Sequence, residues 1–227
     1  MNTAVIVAAG RGTRMRASEN KVFLRLRGVP VIVRTVKALR DSGAFSCFVV
    51  VTGAQETGRM KRLLARHGLE AIVTVGGESR QESVRRGLAA CPGDTELVAI
   101  HDGARPLADR DTVLSALESA RVNGSGIASV PVKDTIKRAS GGLVVETPPR
   151  ECLYAVQTPQ AFRFEEIRAC HEQFAGESFT DDAALLEQAG IPVYLSPGSY
   201  ENIKITTPED LIIAGRILSG RERKEHK

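Results

Sequence analysis

The chain predicts an α/β fold, a mainly parallel sheet with helices on both faces. Two observations carry this. From Ala4 to Val132 short apolar runs alternate with helix-period segments, and strand–helix–strand repeats connect by right-handed crossovers that cover both faces of a sheet. Three motifs, at Gly10, Gly76-Gly77 and Asp102-Gly103, each fall just past an expected strand end. Ligands of such sheets bind beyond the carboxyl ends of the strands, so the motifs converge on one edge.

Residues 4–8 form an apolar strand. Residues 30–40 carry Val31, Val33, Val36 and Leu39 among polar residues and open on a proline, as a helix does. Strands are expected at 47–52, 71–75, 97–101 and 126–132. Helices are expected at 60–67, closed by Gly68, at 80–90, and at 109–123 with Asn123-Gly124 as its stop. The alternation breaks at 134–155. Thr135-Ile136-Lys137 and Leu143-Val144-Val145 flank Ser140-Gly141-Gly142, a hairpin signal, and Pro148-Pro149 stiffens the return. An arm over about 132–156 is therefore expected to project from the sheet. Helices follow at 164–174 and 181–188, a late strand at 193–196, and a last amphipathic helix at 208–217 before a charged, frayed tail. No repeat, linker or second domain interrupts 1–227.

The composition is that of a globular domain. Its 227 residues are 42% hydrophobic and 26% charged, enough for a full core. No apolar run approaches the roughly 20 residues that span a membrane, and the start has no secretory pattern; the expectation is a cytoplasmic protein with no membrane partner. Cys47, Cys91, Cys152 and Cys170 are scattered without a Cys-x-x-Cys pair, which argues against zinc and a disulfide framework. A net charge of +4, 4% aromatics and no Trp leave little for a nucleic acid to bind.

Chemistry concentrates in four places. The first strand runs into Ala8-Ala9-Gly10-Arg11-Gly12-Thr13-Arg14-Met15, followed by Lys21. Small residues let backbone N–H groups approach a base and phosphates, and Arg14 and Lys21 bring charge to the phosphate oxygens. A dinucleotide fingerprint needs glycine where Met15 stands, and a phosphate-binding P-loop needs Gly-Lys-Ser/Thr; neither fits. What remains is the loop pattern of nucleotidyltransferases, with an ordinary glycine-rich turn from strand to helix as the alternative for this segment alone. The second place is Gly76-Gly77-Glu78-Ser79-Arg80-Gln81-Glu82-Ser83-Val84, a helix start able to hold a ribose or base edge. Ser79 also reads as an ordinary helix cap with Glu82 completing a capping box. The third is His101-Asp102-Gly103-Ala104-Arg105-Pro106. Asp102 suits Mg²⁺ beside a triphosphate and Arg105 suits a phosphate, although the two also read as a structural pair. His101, on an apolar strand, reads as a core histidine. The fourth is dispersed: Asp134-Thr135, Arg150, Gln157-Thr158-Pro159-Gln160, Thr180-Asp181 and Asn202-Ile203-Lys204-Ile205-Thr206. Taken alone, each reads as turn or surface chemistry, except Lys204, a cation inside a strand-like Ile-Lys-Ile run.

Read in order through nearly the whole chain, these motifs resemble the 2-C-methyl-D-erythritol 4-phosphate cytidylyltransferase family. The resemblance implies a single Rossmann-like nucleotidyltransferase domain and a homodimer built on the arm. It implies transfer of CMP from CTP to the sugar-alcohol phosphate in the non-mevalonate isoprenoid pathway, with Mg²⁺ or another divalent cation on the phosphates. Arg14 and Lys21 match the family's transition-state stabilisers, and Arg150 and Lys204 the residues that orient the incoming phosphate. Ala8, Ala9, Gly10, Gly12, Gly77, Glu78, Ser83, Asp102 and Gly103 are implied around the nucleotide, with Asp102 the one metal candidate. Arg105, Thr135, Thr158 and Thr180 are implied around the second substrate, Asp102 and Arg105 coming from a second subunit or bridging to the nucleotide. Two departures stand out. Asn20 precedes the lysine where the family often has proline, and Gly103 replaces an alanine after the acid. A ribitol-5-phosphate cytidylyltransferase would share the loop, and a non-catalytic nucleotide-binding protein the fold.

Overall fold

The computed structural model describes residues 1–10 and 20–225. In chain order the elements are β1 (Asn2–Val7), β2 (Arg25–Leu26), β3 (Val29–Pro30), α1 (Val31–Asp41), β4 (Cys47–Thr52), α2 (Thr57–Arg66), β5 (Ile72–Val75), α3 (Arg80–Ala89), β6 (Leu97–Asp102) and α4 (Arg110–Asn123). Then come β7 (Ser125–Pro131), β8 (Arg138–Ser140), β9 (Leu143–Glu146), β10 (Tyr154–Arg163), α5 (Phe164–Gln173), α6 (Ala183–Gln188), β11 (Leu195–Pro197) and α7 (Pro208–Glu225). Among the described residues, seven strands form one sheet in the order β11-β7-β10-β6-β1-β4-β5. All neighbours pair parallel except β10, which runs antiparallel to both β6 and β7.

Alternation within β1 divides the core. Ala4 and Ile6 face α1, α2 and α4, whose Ile32, Val36, Met60 and Val113 are buried with them. Val5 faces the other way, toward Val84, Leu88, Ile167 and Leu185 of α3, α5 and α6. A two-sided apolar strand needs cover on both faces, and helices on both sides supply it as expected.

Three local expectations change. The hairpin forms as β8 and β9, so its first strand starts after Lys137 rather than at Thr135. Gly141 and Gly142 make the turn with φ of 56° and 83°, values that favour glycine and match the twist of a two-residue hairpin loop. The last helix runs to Glu225, well past Ile217. Arg221 anchors it, with Nε on Glu201 Oε2 at 2.8 Å and Nη2 donating to Leu107 O at 3.0 Å. The run around Lys204 is no strand: Ile205 N donates to Ala104 O at 2.8 Å, and buried Ile205 packs with Leu26, Val31 and Ala214. Its alternation comes from burial on one side without a ladder partner.

The longest strand, β10, contains Gln157-Thr158-Pro159-Gln160, residues that taken singly read as turn chemistry. Proline gives no ladder donor and is placed in sheets at edges or bulges. Here the pairing of β10 with β7 skips from Val156 to Gln160, so Pro159 sits in an irregularity inside the sheet.

Candidate active site

The carboxyl ends of β1, β4, β5 and β6 open into one cavity of about 760 Å³. Ala8, Ala9 and Gly10 line it after β1, Gly53 and Ala54 after β4, Gly76 to Arg80 after β5, and Asp102 and Ala104 at β6. Lys21, Ser83, Arg86 and Lys204 complete the wall. Among the described residues, four cations thus surround a cavity that carries two carboxylates, Glu78 and Asp102.

Each wall has a local cause. Asn20 brings Lys21 to the first loop: its Nδ2 donates to Ala8 O at 2.9 Å and to Glu56 Oε2 at 3.1 Å, and its Oδ1 accepts from Val22 N at 3.3 Å. Asparagine therefore pins the segment by hydrogen bonds. Beside β5, glycine is required by crowding. A Cβ on Gly76 would stand 2.6 Å from Ala9 Cβ and 2.7 Å from Ser83 Oγ, and one on Gly77 would collide with Glu82 Cγ. Ser79 caps α3 by accepting from Glu82 N at 3.0 Å. No capping box forms, because the Glu82 carboxylate pairs with Arg85 and Arg86 at 2.8 Å each. Ser83 Oγ accepts from Gly77 N at 3.1 Å and donates to Ser79 O at 2.8 Å, so it holds the glycine loop in shape.

Asp102 is the electrostatic centre. Lys204 Nζ lies 2.6 Å from its Oδ2, Arg80 Nε 3.7 Å from Oδ1, and Arg105 Nε 3.8 Å from Oδ2. Burial pushes this carboxyl up, but Lys204 and Arg80 pull harder and bring it down to about 2. It is ionised at neutral pH. Behind it, Thr158 Oγ1 accepts from Asp102 N at 3.0 Å and lies 3.2 Å from His101 Nδ1. The hydroxyl proton therefore goes to Nδ1, and Nε2–H donates to Arg105 O at 3.0 Å. Burial pushes fully buried His101 down to about 4, which keeps it neutral. It is a core histidine, as the apolar strand implied.

A second network fixes the Lys204 segment. Asn202, fully buried, donates from Nδ2 to Gln157 Oε1 at 3.1 Å and to Thr158 O at 2.9 Å. Its carbonyl accepts from Arg105 Nη1 at 2.7 Å. The bulge in β10 makes this possible, since Gln157 and Thr158 leave the ladder with β7 and turn to Asn202 and Asp102.

The structure brings together at the cavity Ala8, Ala9, Gly10, Lys21, Gly77, Glu78, Ser83, Asp102 and Lys204. Gly103 supports it from beneath, its N donating to Val7 O at 2.8 Å; an added Cβ would meet that oxygen at 3.0 Å. Arg105 and Thr158 stand behind Asp102 and do not line the cavity, and Thr158 spends its hydroxyl internally. Thr180 is exposed away from the lining. Thr135 and Arg150 lie on the exposed arm, where Arg150 Nη1 donates to Lys133 O at 2.9 Å. Gly12 and Arg14 lie outside the described residues. Arg80 joins the site without having been assigned a role from sequence. A signal was available: a cation in the first turn opposes the helix dipole, and so requires an acid nearby. Burial lowers its basicity, but Asp182 and Asp102 raise it above the ordinary value. Among the described residues no group of three or more metal-ligating side chains clusters, and no helix is long and apolar enough to cross a membrane.

Comparison with known proteins agrees with this geometry. The model of the family described as IspD: 2-C-methyl-D-erythritol 4-phosphate cytidylyltransferase matches residues 2–220. A Geobacillus kaustophilus protein of that name is 47% identical over 222 residues, covering 96% of this chain and 97% of its own length. One from Bacillus licheniformis is 42% identical over 231 residues, all of both chains. The crystal structure of 4-diphosphocytidyl-2C-methyl-D-erythritol synthase from Anaerococcus prevotii superposes with a TM-score of 0.85 at 31% identity, covering 96% of this chain and 98% of that one. That of the Thermus thermophilus cytidylyltransferase gives 0.76 at 31% identity, over 95% and 98%. With the sheet, the glycine-lined cavity and the match over residues 2–220 all in accord, the chain belongs to the 2-C-methyl-D-erythritol 4-phosphate cytidylyltransferase family of nucleotidyltransferases.

Proposed function

We infer that this chain transfers CMP from CTP to 2-C-methyl-D-erythritol 4-phosphate, releasing pyrophosphate and forming 4-diphosphocytidyl-2-C-methyl-D-erythritol in the non-mevalonate isoprenoid pathway. The observation that carries the reading is the cavity itself. Lys21, Arg80, Arg86 and Lys204 converge on a glycine-lined opening at the strand ends, an arrangement suited to a polyanion. The phosphate oxygen of the sugar phosphate attacks the α-phosphorus of CTP, the bond from that phosphorus to the bridging oxygen breaks, and pyrophosphate leaves. Charge builds on the α-phosphate oxygens and the leaving group, so catalysis is positioning and electrostatic stabilisation. Lys21, with Arg14, meets that charge. Lys204 orients the incoming phosphate.

Asp102 fits a divalent cation. Mg²⁺ is usually held by one or two carboxylates together with substrate phosphates, and Asp102 is an ionised carboxylate at the cavity floor. The ion would neutralise phosphate charge, and Lys204 would hand Oδ2 over to it. The arm supports a homodimer: Leu143, Val144 and Val145 are all more than half exposed on β9, an apolar strip suited to a second copy. Thr135 and Arg150, remote from their own chain's cavity lining, would then serve the partner's site. A reducing cytoplasm suits the four free cysteines.

The test is pyrophosphate release from CTP with methylerythritol phosphate, against ATP, GTP and UTP and against ribitol 5-phosphate. Release with CTP and methylerythritol phosphate is expected. Equal or faster turnover of ribitol phosphate would overturn the substrate assignment, and CTP binding without release would overturn the catalytic one.

A further inference from the structure

Asp182 and His171 take no part in the reading above, yet their side chains are only 1% and 0% exposed. His171, on α5, places Nε2 3.3 Å from Asp182 Oδ1 without a well-directed hydrogen bond. The other oxygen, Oδ2, accepts from Arg80 Nη2 at 2.7 Å. Asp182 stands at the start of α6 but does not cap it. Its neighbour Asp181 does, accepting from Ala184 N at 3.1 Å. Gln160 Oε1 fixes the same turn by accepting from Asp182 N and Ala183 N at 3.2 Å each. Both oxygens of Asp182 are thus left for tertiary partners. Burial opposes its ionisation, but Arg80 and His171 outweigh burial and keep the carboxyl below its ordinary range.

The arrangement settles a competition. Two cavity cations, Arg80 and Lys204, both address Asp102, at 3.7 Å and 2.6 Å. A guanidinium released from Asp182 would close on Asp102, because a buried carboxylate strongly favours a nearby cation. It would then displace Lys204 and withdraw Arg80 from the wall. We propose that His171 and Asp182 are positioning residues for the nucleotide cavity: a buried pair that tethers Arg80 on the cavity wall and leaves Asp102 to Lys204. This rests on the cytidylyltransferase reading only for which nucleotide fills the cavity.

The test is steady-state kinetics of His171→Phe and His171→Gln, each alone and combined with Arg80→Met, with Tm measured in parallel. Phenylalanine keeps ring volume and removes both nitrogens; glutamine keeps a donor. His171→Phe is expected to raise KM for CTP about 5- to 10-fold, and KM for the sugar phosphate as well because Lys204 is displaced, with kcat changed by less than about twofold. His171→Gln recovers most of that affinity. In the Arg80→Met background neither change moves KM further, because the tether has nothing left to hold. The proposal is overturned if both variants lower Tm and leave KM for CTP unchanged, or if the His171 and Arg80 effects multiply independently. Should His171→Phe fail to fold, Asp182→Asn in the same two backgrounds reads the same coupling: a raised KM that vanishes beside Arg80→Met supports the tether, and an unchanged or independently multiplying KM overturns it. Failure of the functional reading looks different: the unmodified protein would release no pyrophosphate from CTP, and Kd for CTP by calorimetry then replaces KM in the same comparison.

Discussion

Lys204→Met separates the charge at Asp102 from everything else near it. The methionine keeps most of the side-chain volume and removes the ammonium 2.6 Å from Asp102 Oδ2. In the folded protein burial raises the Asp102 carboxyl, but Lys204 first and Arg80 next bring it from an ordinary 3.8 to about 2. Each tenfold change in acidity corresponds to about 1.4 kcal/mol, so the folded state favours the ionised form by about 2 kcal/mol. That net figure sets the scale of the loss: removing Lys204 uncovers the burial cost it had offset, while Arg80 and Arg105 remain and Lys204, 37% exposed, is partly screened by water. The expected loss is about 2 kcal/mol at pH 7. Its sign with pH follows from linkage. A carboxyl held below its unfolded value stabilises the fold above about pH 4, and that contribution fades as pH falls through about 2. The gap between the two proteins should therefore be constant from pH 7 to 5 and shrink by roughly half near pH 3. Urea unfolding midpoints at pH 7, 5 and 3 measure it. An equal gap at pH 7 and pH 3, or no gap at pH 7, would refute the assignment of Lys204 as the main counter-charge of Asp102.

Other outcomes follow from the same geometry. Lys21→Ala or Arg14→Ala should lower kcat by about 10²–10³, the size of losing one donor to a developing oxyanion, with smaller changes in KM; single-turnover rates near the unmodified value would remove them from the transition state. His101 is held by burial near 4 against an ordinary 6.5, so the unfolded chain binds the extra proton between those values. Stability should fall as pH drops from about 6.5 to 4, by up to roughly 3 kcal/mol, and His101→Gln should flatten that slope in denaturant titrations. Gly126→Ala would drive a methyl into the Ala116 carbonyl and to 2.9 Å from Ser119 Cβ, prising α4 from β7 at a cost of about 1–3 kcal/mol; an unchanged Tm would contradict the close packing of that pair.

Much of the architecture was legible because periodicity is a local property. Each apolar run from β1 to β7 and each amphipathic stretch between them can be identified without knowing its neighbours. The loops after β1, β5 and β6 could be placed on one edge because parallel strands present their carboxyl ends together. For the same reason most of the cavity-lining residues, from Ala8 to Ser83 with Asp102, are identifiable from sequence.

Tertiary structure alone decided the rest. That β10 runs antiparallel between β6 and β7 depends on pairings such as Gln160 with Ile100 and with Ile127, which no local pattern encodes. The bulge at Pro159 then turns Gln157 and Thr158 toward Asn202 and Asp102, so residues that read singly as turn chemistry become the frame of the site. Lys204 resembles part of a strand because one side of its run is buried, and only the missing ladder partner shows otherwise. The partners of Arg80 are Asp102 and Asp182, the second 102 residues away along the chain. Thr135 and Arg150 group with the site by motif, yet the arm carries them away from their own cavity lining. Sequence spacing records which groups a chain possesses; which charge meets which is fixed only when distant segments close on one another and exclude water between them.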